Sequence, residues 1–163
     1  MSRQRLVIYP GSFDPPTNGH LDLIQRAAAM FAHVVAAALK HDAKSPLFTI
    51  EERLEMLRES VADLPNVSVD SFDGLLVDYA RKRGARLILR GIRAVSDYEY
   101  ELQMALMNRQ LYPELETIFM PAAETYSYLS SRLVKEVARF GGDVSGVVPP
   151  HVEARLRAKR SNL

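Results

Sequence analysis

Short apolar runs alternate with amphipathic stretches along the chain. The runs are rich in valine, leucine, isoleucine and alanine, which is typical of buried parallel strands. Five strands are predicted in all, at residues 6–9, 34–39, 67–71, 87–89 and 117–120. Between the first two strands, apolar residues recur at helical spacing and predict a helix over residues 21–31, with Leu21, Ile24, Ala28 and Phe31 on one face.

Capping and stop signals predict the remaining helices. Their starts are marked by Thr49 with Glu52, by Asp73, and by Ser96 with Glu99, and two more follow over residues 130–140 and from about Pro149. Gly84 and Pro113 mark two helix ends. Strands that alternate with helices predict one α/β domain over residues 1–163. We expect a Rossmann-like, doubly wound fold with a five-stranded parallel sheet and helices on both faces.

The composition is that of an ordinary globular protein. The chain has 163 residues, of which 47% are hydrophobic and 25% charged, and a formal net charge of +1. This charge gives no reason to expect a nucleic acid or a membrane surface as partner. The absence of cysteine excludes disulfides and thiolate metal sites. The longest apolar stretch, residues 27–39, is shorter than the ~20 residues of a membrane span. We therefore expect a soluble, cytoplasmic protein.

The segment Tyr9-Pro-Gly-Ser-Phe-Asp-Pro-Pro-Thr-Asn-Gly-His20 leads from the first strand into the first helix. Backbone N–H groups at a helix start bind anions, and glycine lets a phosphate approach the backbone closely. Ser12 and His20 add side-chain donors at the same turn. The alternative is that glycine and proline only shape a tight turn between the strand and the helix, without binding a ligand. The order of residues favours phosphate binding, because residues 17–20 resemble the (H/T)-x-G-H signature of the nucleotidylyltransferase superfamily.

Further candidate residues follow the other predicted strands. Ligands of open parallel sheets bind at the carboxyl ends of the strands, so these residues are expected to meet in one crevice. They are Lys44, Leu76, Arg90 with Arg93, and residues 126–132. Arginine suits phosphate because its planar fork binds two oxygens at once. Most of these residues also have a purely structural interpretation. The lysine would be solvated, the two arginines would form a surface pair, and the serines would cap a helix.

Other phosphate and metal sites do not fit the sequence. No Gly-x-x-x-x-Gly-Lys-Ser/Thr or Gly-x-Gly-x-x-Gly run occurs, which argues against P-loop enzymes and dinucleotide oxidoreductases. Four histidines lie far apart, without the spacing of zinc ligands, so no protein metal site is expected. Any metal would be Mg²⁺ held mainly by substrate phosphates.

Three segments together resemble the phosphopantetheine adenylyltransferase family of bacterial coenzyme A synthesis. They are Tyr9-Pro-Gly-Ser-Phe-Asp-Pro, Arg90-Gly-Ile-Arg-Ala-Val-Ser-Asp-Tyr-Glu-Tyr-Glu101 and Ser130-Ser-Arg-Leu-Val-Lys-Glu-Val-Ala138. The resemblance implies transfer of AMP from ATP to 4′-phosphopantetheine, which gives dephospho-coenzyme A and pyrophosphate. It also implies Mg²⁺ dependence, a cytoplasmic homohexamer and feedback inhibition by coenzyme A.

The resemblance also implies roles for individual residues. The catalytic residues are expected to be His20, Lys44 and Arg93, with His20 stabilising the transition state. Phosphopantetheine is expected to be bound by Ser12, Lys44, Leu76 and Arg90. The ATP side is expected to take Ser12, Phe13, His20, Gly91, Ile92, Arg93, Glu101, Tyr126, Ser127, Tyr128, Leu129, Ser130, Ser131 and Arg132.

This chain departs from the family pattern at three of these positions. Ser12 stands where threonine is common, which keeps the hydroxyl, and Leu76 replaces a methionine seen in some members. Arg132 occupies a position often filled by serine or threonine, which puts side-chain contacts to ATP there in doubt.

Three other functions remain open from the residues alone. The first is a nucleotidylyltransferase with another acceptor, such as nicotinamide mononucleotide or glycerol phosphate. The second is a non-catalytic nucleotide-binding module, since a fold does not fix a function. The third is a structural α/β subunit, which would leave the cluster of donors at the strand ends unexplained.

Overall fold

A computed structural model describes residues 5–41 and 45–160. Five parallel strands form one sheet in the order β3-β2-β1-β4-β5. The strands are β1 (Leu6–Gly11), β2 (His33–Leu39), β3 (Val67–Phe72), β4 (Leu87–Ile92) and β5 (Glu116–Pro121). The helices are α1 (Asn18–Met30), α2 (Ile50–Ser60), α3 (Leu76–Arg83), α4 (Val95–Leu111), α5 (Ser131–Arg139) and α6 (Pro150–Ala158). A short 3₁₀ turn, Glu124–Tyr126, precedes α5.

Successive strand residues point to opposite faces of the sheet, and the central strands β1 and β2 are buried on both faces. Val7 and Tyr9 of β1 pack with Leu23, Ile24, Ala27 and Leu57 from α1 and α2. Ile8 of the same strand packs on the other face with Val77 and Ala80 of α3. The predicted α/β architecture with a five-stranded parallel sheet and helices on both faces is therefore confirmed.

The capping signals were right at some helix starts and wrong at others. Thr49 and Glu52 form the predicted capping box of α2, and Gly84 ends α3 in the left-handed conformation. By contrast, α4 begins after Ala94 rather than at Ser96, so no capping box forms with Glu99. Similarly, α3 begins after Leu75, and the predicted cap Asp73 instead contacts His41.

The strand order determines where a ligand can bind. The chain runs outward from β1 through β2 to β3 and then returns to place β4 on the other side of β1. At such a switch point the connections that follow the two neighbouring strands leave the sheet on opposite faces. A crevice therefore opens at the carboxyl ends of these strands. Within the described ranges, no helix is both long enough and apolar enough to span a bilayer.

Candidate active site

A crevice of about 600 Å³ lies at the carboxyl ends of β1 and β4. Its walls come from the turn between β1 and α1, from α4, and from the segment that leads into α5. His20 and Arg90, which lie far apart in the sequence, both line it. The predicted convergence of strand-end residues on one crevice is therefore observed.

Most of the residues predicted for the site share this crevice. Its lining includes Ser12, His20, Leu76, Arg90, Gly91, Arg93, Glu101, Tyr126, Leu129, Ser130, Ser131 and Arg132. The structure does not bring four others to the lining, namely Phe13, Ile92, Ser127 and Tyr128. Lys44 lies outside the described residues.

His20 is held by the first turn of α1. Thr17 and His20 form a reciprocal capping box, in which the backbone N–H of Thr17 donates to His20 Nδ1 at 3.0 Å. A backbone N–H can only donate, so Nδ1 is the acceptor and the neutral ring carries its hydrogen on Nε2. Burial lowers the pKa of His20 to about 4, and the charges of Arg93 and Arg90 act in the same direction. At neutral pH this histidine is therefore an uncharged hydrogen-bond donor.

The turn before α1 is tightly constrained. Phe13 is fully buried and has a φ of 50°, which is uncommon for a bulky residue. Its ring packs edge-on against His20, with 5.0 Å between ring centroids. The same ring would lie only 3.1 Å from a Cβ at position 11, so any side chain there would require the ring of Phe13 to shift.

Asp14 anchors the turn to two other parts of the chain. Its buried carboxylate accepts hydrogen bonds from the backbone N–H groups of Leu47 and Phe48, at 3.0 and 2.8 Å. It also pairs with Lys135 of α5 at 2.9 Å. These three contacts fix the turn relative to α5 and to the segment that leads into α2.

Arg90 is oriented by two elements. Its Nε and Nη2 donate to the two carboxylate oxygens of Glu101, at 2.7 and 2.6 Å. Its Nη1 donates to the carbonyl of Pro10 at 2.8 Å. Burial opposes the charged form, but the hydrogen bonds and charge of Glu101 outweigh it and raise the pKa of Arg90. A guanidinium has five N–H donors, so two remain for a ligand.

Arg93 is oriented in a similar way. Its Nε donates to Asp97 Oδ2 at 3.0 Å, and its Nη1 donates to the carbonyl of Leu129 at 2.7 Å. Burial raises the pKa of Asp97, but hydrogen bonds from Arg93 dominate and lower it below its usual value. The crevice therefore presents two arginines whose orientation is set before any ligand binds.

The start of α5 completes the wall. Ser130 is its N-cap and accepts the backbone N–H of Leu133 at 3.1 Å. The Ser131 hydroxyl donates to the carbonyl of Pro15 at 2.7 Å, which joins α5 to the first turn. These hydroxyls therefore have structural partners, while the exposed side chain of Arg132 lines the crevice.

Sequence reasoning missed several crevice residues. Tyr9, Thr17, Asp97, Tyr100 and Asn108 all line the crevice. Tyr9 is almost fully buried, and burial raises its pKa, so its phenol stays protonated. The role of Thr17 could have been predicted, because threonine is a common N-cap residue and lies here three residues before His20. Asp97 lies four residues after Arg93, which is the spacing of a helical ion pair.

The described part of the chain contains no group of three acidic, histidine or cysteine side chains arranged for a metal ion. The two crevice carboxylates, Asp97 and Glu101, are both bound to arginines. The donor set of this crevice therefore suits anions rather than a bare cation.

Comparison with known proteins agrees with these features. The Cytidylyltransferase-like family matches residues 8–137. A phosphopantetheine adenylyltransferase of Heliobacterium modesticaldum is 57% identical over 154 residues, which are 94% of this chain and 92% of that protein. A phosphopantetheine adenylyltransferase of Aromatoleum aromaticum is 54% identical over 159 residues, 98% of each chain. Another, from Dictyoglomus turgidum, is 53% identical over 153 residues, 94% of this chain and 96% of that protein.

The fold is also found among solved structures. A putative nicotinate-nucleotide adenylyltransferase from Vibrio parahaemolyticus superposes with a TM-score of 0.68. The match covers 94% of this chain and 91% of that one, at 17% sequence identity. At this identity the likeness concerns the fold alone.

Proposed function

This chain belongs to the phosphopantetheine adenylyltransferase family, within the Cytidylyltransferase-like group, and we propose that its crevice carries out that family's reaction. The AMP group of ATP is transferred to 4′-phosphopantetheine, and the products are dephospho-coenzyme A and pyrophosphate. The observation that carries the proposal is that His20 and Arg90 line the same crevice, at the switch point of the sheet.

The reaction needs no general base from the protein. An oxygen of the acceptor phosphate attacks the α-phosphorus of ATP, and the bond from that phosphorus to the bridging oxygen of pyrophosphate breaks. A phosphate monoester has a second pKa of about 6, so it is mostly dianionic at neutral pH. Catalysis then depends on positioning two anions and stabilising the charge that develops during in-line attack.

We assign His20 to the transition state. As a neutral Nε2–H donor it can stabilise charge on the reacting phosphoryl group without binding the ground-state anions as strongly as a cation would. Phe13 and the Thr17 cap hold the ring from two sides, so little reorganisation is needed. Lys44, in the loop after β2, is proposed as a further catalytic cation on the phosphopantetheine side.

We assign the two arginines to the two substrates. Arg90, with Ser12 and Leu76, is proposed to bind phosphopantetheine through its remaining N–H donors. Arg93 is proposed to bind the phosphates of ATP, near the N-terminus of α5. Phe13, Ile92, Ser127 and Tyr128 do not line the crevice, so any role toward ATP would be indirect or through the backbone.

We propose that Mg²⁺ enters with ATP, held mainly by the nucleotide's phosphates. This fits a crevice whose carboxylates, Asp97 and Glu101, are taken up by arginines. When bound, the ion would neutralise phosphate charge and help pyrophosphate leave. The chain's own contribution is to orient the phosphates with arginine donors and the helix N-terminus.

We also propose that the protein is a cytoplasmic homohexamer inhibited by coenzyme A. The outer face of α4 supports self-association, because Val95, Leu106 and Met107 are exposed there at 79%, 58% and 56%. The number six rests on the family resemblance. Coenzyme A contains the whole product and one more phosphate, so it is expected to compete for the crevice.

The function is tested by an acceptor competition. The purified protein is incubated with ATP, Mg²⁺ and one of three acceptors: 4′-phosphopantetheine, nicotinamide mononucleotide or glycerol 3-phosphate. Pyrophosphate release and the adenylylated product are measured. Turnover is expected with phosphopantetheine as acceptor and with neither of the other two acceptors. Preference for either other acceptor would replace the proposed substrate, and absence of turnover with all three would favour a non-catalytic binding module.

A further inference from the structure

Arg53 of α2 is a buried charged residue that the proposed chemistry does not use. Only 2% of it is exposed. Its Nη1 donates to the carbonyl oxygens of Ser12 and Leu39, at 2.7 and 3.0 Å. Its Nη2 donates to the carbonyl of Lys40 at 3.3 Å. One side chain therefore joins the turn after β1 to the end of β2.

The hydrogen bond to the Ser12 carbonyl acts on a strained part of the backbone. This carbonyl belongs to the peptide that precedes Phe13, whose φ of 50° is unfavourable for a residue with a Cβ. Ser12 itself lines the crevice, while the other two carbonyls belong to Leu39 and Lys40 at the end of β2. A fixed donor at this carbonyl restrains the backbone that presents Ser12.

Arg53 is also costly as a purely structural residue. Arginine stays protonated in proteins, yet among the described residues no carboxylate pairs with it. Its Nε is a fully buried donor that has no hydrogen-bond partner in the part of the chain that the structure describes. Burying a charge costs desolvation free energy, and hydrogen bonds to neutral carbonyls offset only part of that cost. Anionic substrates in the adjacent crevice would offset part of this cost.

We propose that Arg53 is a positioning residue for the adenylyl transfer, which holds the Ser12 turn and the end of β2 in the relative placement that the two substrates require. The inference rests on the proposed function. Arg53 does not line the crevice and acts through the backbone, so its effect should appear mainly in kcat.

The test compares Arg53→Met, Arg53→Lys and wild type in the pyrophosphate-release assay, with folding followed by circular dichroism. Methionine removes the charge and all three carbonyl contacts, and kcat should fall by about 10- to 100-fold with a smaller change in KM. Lysine keeps the charge and at least one donor, so it should restore part of the loss. Met56→Ala, one turn along the same helix, is a matched control because Met56 is fully buried and does not line the crevice. It should lower the melting temperature and leave kcat unchanged.

A double-mutant cycle with Ser12→Ala tests whether Arg53 acts through the turn. If it does, Arg53→Met should change kcat by less than about twofold in the Ser12→Ala background, because coupled effects are not additive. Fully additive losses would overturn the proposal. So would wild-type kcat in both Arg53 variants, or failure of both to fold, which would make the residue purely structural. An inactive wild-type protein would instead refute the proposed function itself.

Discussion

Arg90 and Glu101 form a bidentate ion pair in the wall of the crevice, with N–O distances of 2.7 and 2.6 Å. Arg90 lies in β4 and Glu101 in α4, so the pair ties the sheet to the helix beside it. The side chain of Glu101 is 11% exposed and that of Arg90 32%. The arginine therefore keeps access to the crevice while the carboxylate behind it fixes its orientation.

Replacing Arg90 by alanine is expected to weaken phosphopantetheine binding selectively. The variant loses charge-assisted hydrogen bonds to the acceptor phosphate, so the KM for phosphopantetheine should rise about 10-fold or more, and the KM for ATP much less. Steady-state kinetics with each substrate varied in turn measures both. The assignment would be wrong if only the KM for ATP rose.

Replacing His20 by alanine should remove catalysis without unfolding the protein. Loss of one preorganised donor typically costs on the order of 10²–10³ in turnover. Turnover is measured beside a circular dichroism spectrum. His33→Ala is the control, because His33 begins β2 and binds Ser68 at 2.8 Å, outside the crevice lining. Near-normal turnover in a folded His20→Ala protein would contradict the role given to this ring.

The lowered pKa of His20 makes the fold sensitive to acid. The unfolded chain protonates this histidine at its usual pKa of about 6.5, whereas the folded protein resists protonation until about 4. The contribution of neutral His20 is therefore fully present above pH 6.5 and is lost as the pH falls through 4. Urea unfolding at pH 7 and 4.5 should show a larger loss in wild type than in His20→Gln. Equal losses would mean that this ring is not protected from protonation.

Removal of metal should abolish turnover without affecting the apo fold. EDTA is expected to stop pyrophosphate release, and excess Mg²⁺ to restore it, because the ion arrives with ATP. Mg²⁺ alone should not raise the melting temperature, since the crevice carboxylates are already paired with arginines. A clear rise without nucleotide would indicate a protein metal site instead.

Alanine at position 91 is expected to destabilise the protein. A Cβ there would lie 2.5 Å from Cδ1 of Leu23, which is almost fully buried in the core. Such overpacking typically costs about 1–3 kcal/mol, measurable by urea unfolding. Gly146→Ala is the control, because nothing lies within 4 Å of a Cβ built there. Equal stabilities of the two variants would show that Leu23 relaxes without cost.

The centre of the sheet could be predicted from the sequence because β1 and β2 are buried on both faces and therefore appear as almost continuous apolar runs. Helix starts were less predictable, since capping residues have competing partners. Asp73 accepts a hydrogen bond from the backbone N–H of Gly74 and contacts His41, whereas α3 starts after Leu75. Asp97 receives the backbone N–H of Arg93 near the start of α4, where Ser96 and Glu99 were expected to form the cap.

Much of the crevice lining could be predicted, but the pairing of its residues could not. The rule that ligands bind at strand ends brings Ser12, His20, Arg90 and Arg93 together. The pairing of Arg90 with Glu101 depends on how α4 is rotated, and α4 lacks an ordinary apolar stripe. It buries Glu101 and exposes Leu106 and Met107. Nothing in the sequence analysis singled out Arg53, because the carbonyls that it binds belong to other segments of the chain.

The capping box at the start of α1 makes the orientation of the His20 imidazole a local property of the chain. Thr17 and His20 define each other's geometry within a single helical turn, so the choice of protonated ring nitrogen does not depend on any remote segment. This four-residue stretch is therefore a transferable unit. Grafted onto another helix that starts with the same backbone, it should present the same proton in the same direction.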